Sequence, residues 1–472
     1  FVQILLDSLL FTERLTEMQP NSLLQTLLPL LLLWTLALVA QASPRISRAS
    51  RRQLLLVSLD GFRHDYLTIY ANQSRFLRQM ASEGVFVRSM QTEFVTKTFP
   101  NHWVIATGLH QESNGIVSNG MYDPVFNATF GMSTREERWW NDSLPIWVTA
   151  KRQGLKTATF FWPGSEVEFG GTRPDHYFPY DGRISYEYRI DTITSWLADE
   201  QIDLCTLYFN EPDSAGHSSG PESVRVSDAI IRLNHLLELL VYRLERRGVR
   251  DRVDIIVTSD HGMTELNDSK AIHFNNELDP FVDRYMDSGP LLSMFAKPGQ
   301  RDRLVEFLQN QTKARSLPVR VFTRESMPPA YRYSQHRRIP DVLVLPDPGY
   351  VVFRRSTNLI KGNHGFDNTY GEMKVPLIAV GPSFRRGVEV EGFRQVDIYG
   401  LMCHLLGIRP QPNNGSSEHF SAMLSSDSSS SSTASTSMPM TTTSAAGRSA
   451  TAAQECVTLP SLLVLALSLV WA

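Results

Sequence analysis

Three largely apolar runs, at residues 53–59, 203–209 and 253–259, constrain this chain more than any other feature. Their apolar residues occupy consecutive rather than alternate positions, the pattern of a strand covered on both faces. Each run also stops on chemistry: the first at Asp60-Gly61, the second at Asn210-Glu211-Pro212-Asp213, the third at Asp260-His261-Gly262. A helical pattern at 227–246 lies between the last two, with Ile230, Ile231, Leu233, Leu236, Leu237, Leu240 and Leu244 expected on one face. Buried strands alternating with amphipathic helices predict an α/β fold, a doubly wound and mostly parallel sheet with helices on both faces. Ligands of such sheets bind beyond the carboxyl ends of the strands, so Asp60, Asp213 and Asp260-His261 are expected on one rim. A stretch at about 291–350, with shorter strand-like pieces, many prolines and several arginines, is expected to form a small insert on the sheet edge.

The residues that end these runs belong to a ligand inventory of three carboxylates and three imidazoles: Asp60, Asp213, Asp260, His217, His261 and His364, each in a turn or beside glycine. With only 3 cysteines in 472 residues, a disulfide framework and a multi-cysteine zinc site are excluded. Asp213 and His217 stand four residues apart just after a strand, so both can turn toward one ion. Asp260 and His261 are adjacent and can serve two neighbouring positions, and His364 lies in the loop 363–368. Mixed carboxylate and imidazole ligands suit zinc in a hydrolytic site better than manganese or iron. Two ions about 4 Å apart would clamp a phosphoryl group between them. Singly, an Asp-Gly after a strand is a turn and a His-Gly a loop histidine; their joint occurrence points to metal. Thr98, in the segment 96–102 that leads into a helix, is either a plain cap or a nucleophile facing the positive end of the helix dipole, where an anionic phosphoryl group would sit.

The ends of the chain read differently from its middle. Residues 1–17 are expected to be a gene-model extension ahead of Met18, and 18–42 a signal peptide, with an apolar run at 28–40 and the triplet Ala40-Gln41-Ala42; an uncleaved anchor is the alternative. A catalytic domain is expected at 50–415, a Ser/Thr-rich stalk at 416–453 and a hydrophobic tail at 457–472. A helical tail of that length rises about 24 Å, short of a bilayer core of about 30 Å, which favours a glycosylphosphatidylinositol signal over a membrane helix. Sequons at Asn72, Asn127, Asn141, Asn267, Asn310 and Asn414 agree with export. The expected location is therefore the extracellular face of the plasma membrane, held by the C-terminal anchor or shed from it. Cys205 and Cys403 are expected as buried thiols. Balanced charge, 46 basic against 49 acidic residues, offers no global field for nucleic acid, so no nucleic-acid binding is expected. No obligate protein partner is evident.

The motifs LLLVSLDGFR, TKTFPNHWVIATGLHQESNGIVSNGMYDP, LPIWVTA, FFWPGSEVE, TLYFNEPDSAGHSSGPES, IIVTSDHGM and NHGFDN resemble the ectonucleotide pyrophosphatase/phosphodiesterase family of the alkaline phosphatase superfamily. The match runs from about residue 54 to 416. This resemblance implies a phosphodiesterase with two zinc ions, one held by Asp60, Thr98, Asp260 and His261, the other by Asp213, His217 and His364. It also implies Thr98 as the nucleophile and Asn119 as a donor to a phosphoryl oxygen. The family's cysteine-rich extra domains are missing, as in its short members.

For the substrate the motifs divide. TLYFNEPDSAGH, GYVVF and AVGPSFRRGVEVE are most similar to the alkaline sphingomyelinase branch, which implies a choline phospholipid such as sphingomyelin or lysophosphatidylcholine, cleaved to release phosphocholine. The segment KTFPNH and FFWPGSEVE look instead like the nucleotide-cleaving branch, with Phe99, Trp140, Trp162 and Tyr180 as walls of a base-stacking slot or, equally, as core. The balance leans slightly to the choline lipid. A sulfatase or phosphatase on the same scaffold is disfavoured by Thr98 in the nucleophile position, and a catalytically dead adhesion ectodomain by the full set of ligands.

Overall fold

The computed structural model describes residues 52–355 and 360–426. The expected extension, signal peptide and hydrophobic tail, with most of the stalk, lie outside the described residues. Among the described residues no helix is long and apolar enough to cross a membrane.

The consecutive apolar runs form the middle of an eight-stranded sheet. In chain order its strands are β1 (Gln53–Leu59), β2 (Val85–Met90), β3 (Thr157–Phe160), β4 (His176–Tyr177), β5 (Leu204–Phe209), β6 (Val253–Thr258), β7 (Val375–Val380) and β8 (Val388–Glu389). They lie side by side as β8-β2-β7-β6-β1-β5-β3-β4. All neighbours are parallel except β7, which runs against both β2 and β6. Alternate residues of one strand supply two separate cores. Leu54 and Leu56 of β1 pack with Ile256, Leu377 and the helices Thr98–Thr107 and Ile398–Leu406. Leu55, Val57 and Leu59 pack with Leu207, Ile255 and the helices Tyr186–Ala198 and Val224–Arg246 on the other face. A strand wrapped on both sides cannot alternate polar with apolar, which is why its sequence reads as an unbroken run.

The long helix starts at Val224, where the Ser223 side chain accepts from the Val226 N–H. Its buried stripe is the expected one except at Ile231. That residue is 38% exposed, because each helical position turns by about 100° and the neighbour of buried Ile230 is carried off the core face.

The insert is larger than 291–350 and carries a sheet of its own. Its strands Val282–Asp287, Leu292–Ala296, Val342–Pro346 and Val319–Thr323 lie in that order, all antiparallel, against the helix Arg301–Ala314. The expected stalk also begins later than residue 416. The helix Phe420–Met423 and a bridge between Leu424 and Phe384 fold back onto the domain, burying Phe420, Met423 and Leu424 in the core. The six sequon asparagines are all exposed. Cys205 and Cys403 are buried and free, and burial pushes the Cys403 thiol up to about 12.

Candidate active site

β6, β1 and β5 are adjacent, so the residues that follow them meet at one rim. Asp60 follows β1 directly, and Gly61 then turns with φ +70. A Cβ there would stand 2.9 Å from the Asp213 Cα, so only glycine lets the two strand ends cross this closely. At the crossing the Asp213 N–H donates to the Asp60 carbonyl at 3.0 Å. Asp213 opens a short helix, Asp213–Ser219, which returns His217 to the same side one turn later. Thr98 is the first residue of the helix Thr98–Thr107, and its Oγ1 lies 3.3 Å from His261 Nε2.

Each imidazole is held by a backbone carbonyl, which can only accept. His217 Nδ1 donates to Gly362 at 2.8 Å, His261 Nδ1 to Gly262 at 2.9 Å and His364 Nδ1 to Thr96 at 2.9 Å. The three Nε2 lone pairs are therefore turned into the rim. His217 Nε2 and His364 Nε2 lie 3.3 Å and 3.5 Å from Asp213 Oδ1, and His261 Nε2 lies 3.0 Å from Asp260 Oδ2 and 3.4 Å from Asp60 Oδ1. Those same three carboxylate oxygens are buried with no hydrogen-bond donor. Leaving buried carboxylate oxygens unpaired is expensive in a folded protein. Burial, with Asp260 and Asp213 alongside, pushes the Asp60 carboxyl well above the usual carboxylate range. Burial and the neighbouring His261 push the His364 imidazole well below its ordinary value, leaving it neutral with its lone pair free. Orphaned carboxylate oxygens facing imidazole lone pairs are what a pair of divalent cations requires, so these residues fit the expected metal ligands. Asp213, His261 and His364 converge closely enough to hold one ion, and Asp60 and Asp260 converge likewise with His102.

The sequence reading did not single out His102. It stands one turn beyond Thr98 and is fully buried; its Nδ1 donates to the Thr98 carbonyl at 2.8 Å, and its Nε2 is 2.8 Å from Ser58 Oγ. Both ring nitrogens are thus engaged, and the ring braces Asp260, whose Oδ2 is 3.4 Å away. Tyr208 was also missed; its hydroxyl donates to Asp60 Oδ2 at 2.6 Å.

Beyond the ligands a cavity of about 370 Å³ is lined by Thr98, Phe99, Asn119, Trp162 and Tyr180 among others. Asn119 Oδ1 accepts the Phe99 N–H at 2.9 Å, which leaves its amide donors available to the cavity. Tyr180 is 52% exposed at the mouth, while Trp162 is nearly buried and donates to the His102 carbonyl at 3.0 Å. Trp140 is not a wall. It is fully buried in the core, its ring centroid 6.1 Å from that of Phe99, and it supports Phe99 from within. Glu166, the lining carboxylate apart from Asp60 and Asp213, is paired with Arg135 at 2.7 Å. Behind the wall Arg189 is fully buried; its guanidinium stands 4.9 Å from the Phe161 ring centre and donates to the Tyr208 and Ile184 carbonyls.

A hydroxyl at a helix start, facing ligands for divalent cations and an amide donor, suits displacement at phosphorus, and with the fold it makes the chain a phosphoric diester hydrolase with an alkaline phosphatase-like sheet. The chain belongs to the family described as type I phosphodiesterase / nucleotide pyrophosphatase, whose profile matches residues 54–367. Human bis(5'-adenosyl)-triphosphatase ENPP4 is 36% identical over 377 residues, 79% of this chain and 82% of the relative. Rat ectonucleotide pyrophosphatase/phosphodiesterase family member 7 is 37% identical over 402 residues, 81% of this chain and 89% of the relative. The structure of murine family member 5 superposes with a TM-score of 0.75 at 33% identity, covering 79% of this chain and 100% of that one. An inactive threonine-to-alanine variant of that murine protein has been solved in complex with AMP.

Proposed function

We propose that this chain is a two-zinc ectoenzyme that uses Thr98 to cleave phosphodiesters of nucleotides and releases nucleoside monophosphates. The observation that carries the chemistry is the gathering of the unpaired oxygens of Asp60, Asp213 and Asp260 around His261, whose Nε2 faces Thr98 Oγ1 at 3.3 Å. Zinc held by Asp60, Asp260 and His261 on one side and by Asp213, His217 and His364 on the other would acidify the Thr98 hydroxyl and offset charge on the phosphoryl oxygens. Thr98 Oγ attacks phosphorus, the ester oxygen leaves, and water later cleaves the phosphothreonyl bond. Asn119, its carbonyl held by the Phe99 N–H, donates from Nδ2 to a phosphoryl oxygen as charge develops there. The helix that begins at Thr98 turns its N-terminal end toward the same anionic group.

The substrate class rests on the charges around the cavity. A choline headgroup is held by an open aromatic face or an unpaired acid. Here Glu166 is tied to Arg135, and Phe161 already carries the Arg189 guanidinium on its ring. Tyr180 offers an open face to either ligand, but the lining acid is already taken by Arg135, a guanidinium that repels a quaternary ammonium and attracts a polyphosphate. ENPP4, a bis(5'-adenosyl)-triphosphatase by name, and the AMP complex of the murine relative support the same reading. The choline lipid remains the second reading, on the 37% identity to family member 7 and the motifs shared with the sphingomyelinase branch.

The deciding experiment offers diadenosine triphosphate, sphingomyelin and lysophosphatidylcholine together to purified, zinc-loaded protein and follows the products. Release of AMP is expected; release of phosphocholine without AMP would overturn the nucleotide reading. An extracellular, membrane-held location belongs to the same proposal, supported by the exposed sequons and by relatives named as ectonucleotide pyrophosphatases/phosphodiesterases. Peptide mapping for N-glycans and phospholipase release from cells test it.

A further inference from the structure

We propose that Asp287, on the second sheet, is a positioning residue for catalysis, and that it sets the nucleophile and the amide donor at their working separation. This rests on the assignment of Thr98 and Asn119 above. Thr98 is preceded by Lys97 and Asn119 by Ser118, and both of these neighbours end on the same carboxylate. Lys97 Nζ forms an ion pair with Asp287, and Ser118 Oγ donates to both of its oxygens, at 3.0 Å each. Lys97 Nζ also reaches Ser118 Oγ at 3.4 Å, which closes the triangle. Asp287 is the last residue of the strand Val282–Asp287, and Ser293, its cross-strand partner, steadies the carboxylate from Oγ at 3.3 Å. The side chains of Lys97 and Asp287 are 14% and 9% exposed, and Ser118 is buried, so water screens the clamp little.

The segment 324–341, which joins two strands of the second sheet, grips the Asn119 segment twice more. Tyr333 donates to the Val117 carbonyl at 2.8 Å and Arg338 to the Gly115 carbonyl at 2.7 Å. Lys97 itself is the extended residue immediately before the Thr98 helix, and none of that helix's N-terminal groups is capped by its side chain. Its ammonium is thus committed to Asp287. The clamp joins two backbone segments whose own mutual contact is the bond from the Phe99 N–H to Asn119 Oδ1. Displacing a reacting group by about 1 Å is enough to lower a rate about a hundredfold.

The test is steady-state hydrolysis of bis(p-nitrophenyl) phosphate, a diester with neither base nor choline, by the full zinc-loaded chain. Asp287→Asn should lower kcat about 30-fold at unchanged KM, with metal content and melting temperature near those of the parent. Ser118→Ala, which keeps the ion pair, should lower kcat about tenfold. Lys97→Met combined with Asp287→Asn should be no slower than Asp287→Asn alone, because both break one clamp. Values of kcat within twofold of the parent for Asp287→Asn and Ser118→Ala overturn the proposal. So does a loss that follows zinc content, or one that multiplies in the double variant. Thr98→Ala in the same assay separates the two ideas: an active variant removes the nucleophile assignment, whereas an inactive one beside a normal Asp287→Asn removes only the clamp.

Discussion

As the proposed nucleophile, Thr98 would owe its reactivity to its place and not to its type, since an isolated threonine hydroxyl is a poor nucleophile. Replacing it with alanine should reduce turnover at least about 10³-fold while zinc, measured by mass spectrometry, stays bound, because Asp60, Asp260 and His261 remain. Asn119→Ala should lower kcat about 10²-fold with KM little changed, the pattern of a donor that acts on charge developed in the transition state. Arg135→Ala would free Glu166 for a cation and should raise the rate on lysophosphatidylcholine about fivefold relative to the nucleotide, a ratio read from paired progress curves. The residues proposed as ligands stand out in the sequence because each sits at the end of an apolar run or in a glycine-bounded turn. His102, Tyr208 and Trp140 do not. Tyr208 and His102 lie inside a strand and a helix that read simply as core, and Trp140, beside Trp139 at the end of a short 3-10 turn, has no periodicity to say which way it faces.

Among the elements, a buried ion pair helps to seat the insert on the catalytic domain. Asp123 and Arg338 are both fully buried and meet at 2.7 Å, with Arg337 adding a contact at 2.8 Å. Burial alone would raise the Asp123 carboxyl, but Arg337 and Arg338 hold it down at about 2. A carboxyl lowered on folding stabilises above its unfolded pKa of about 4, and that stability is lost as pH falls toward 2. Asp123→Asn should therefore cost about 3–5 kcal/mol at pH 7 in urea titrations. It should also flatten the acid limb of the stability curve between pH 4 and 2, where the parent falls. Neither partner was legible: they are far apart in the chain, and no local pattern marks a pair that only the folded insert brings together. The same limit misplaced Ile231, because hydrophobicity alone does not say which of two adjacent isoleucines points inward.

At the scale of the whole molecule, the catalytic fold was legible and its far edge was not. A serine-rich composition hid the three apolar residues that close the domain, Phe420, Met423 and Leu424. A chain ending at residue 415 should lose about 3 kcal/mol and melt lower by several degrees, whereas one ending at residue 426 should match the full chain in a thermal scan. The ligands that Gly61 lets cross so closely are themselves spread from Asp60 to His364, and the carbonyl that orients His364 belongs to Thr96. No fragment that stops short of residue 364 carries a complete set. Under the proposed two-metal assignment the ribosome must have released nearly the whole domain before the second ion could be seated, which would make metal loading a late event in maturation.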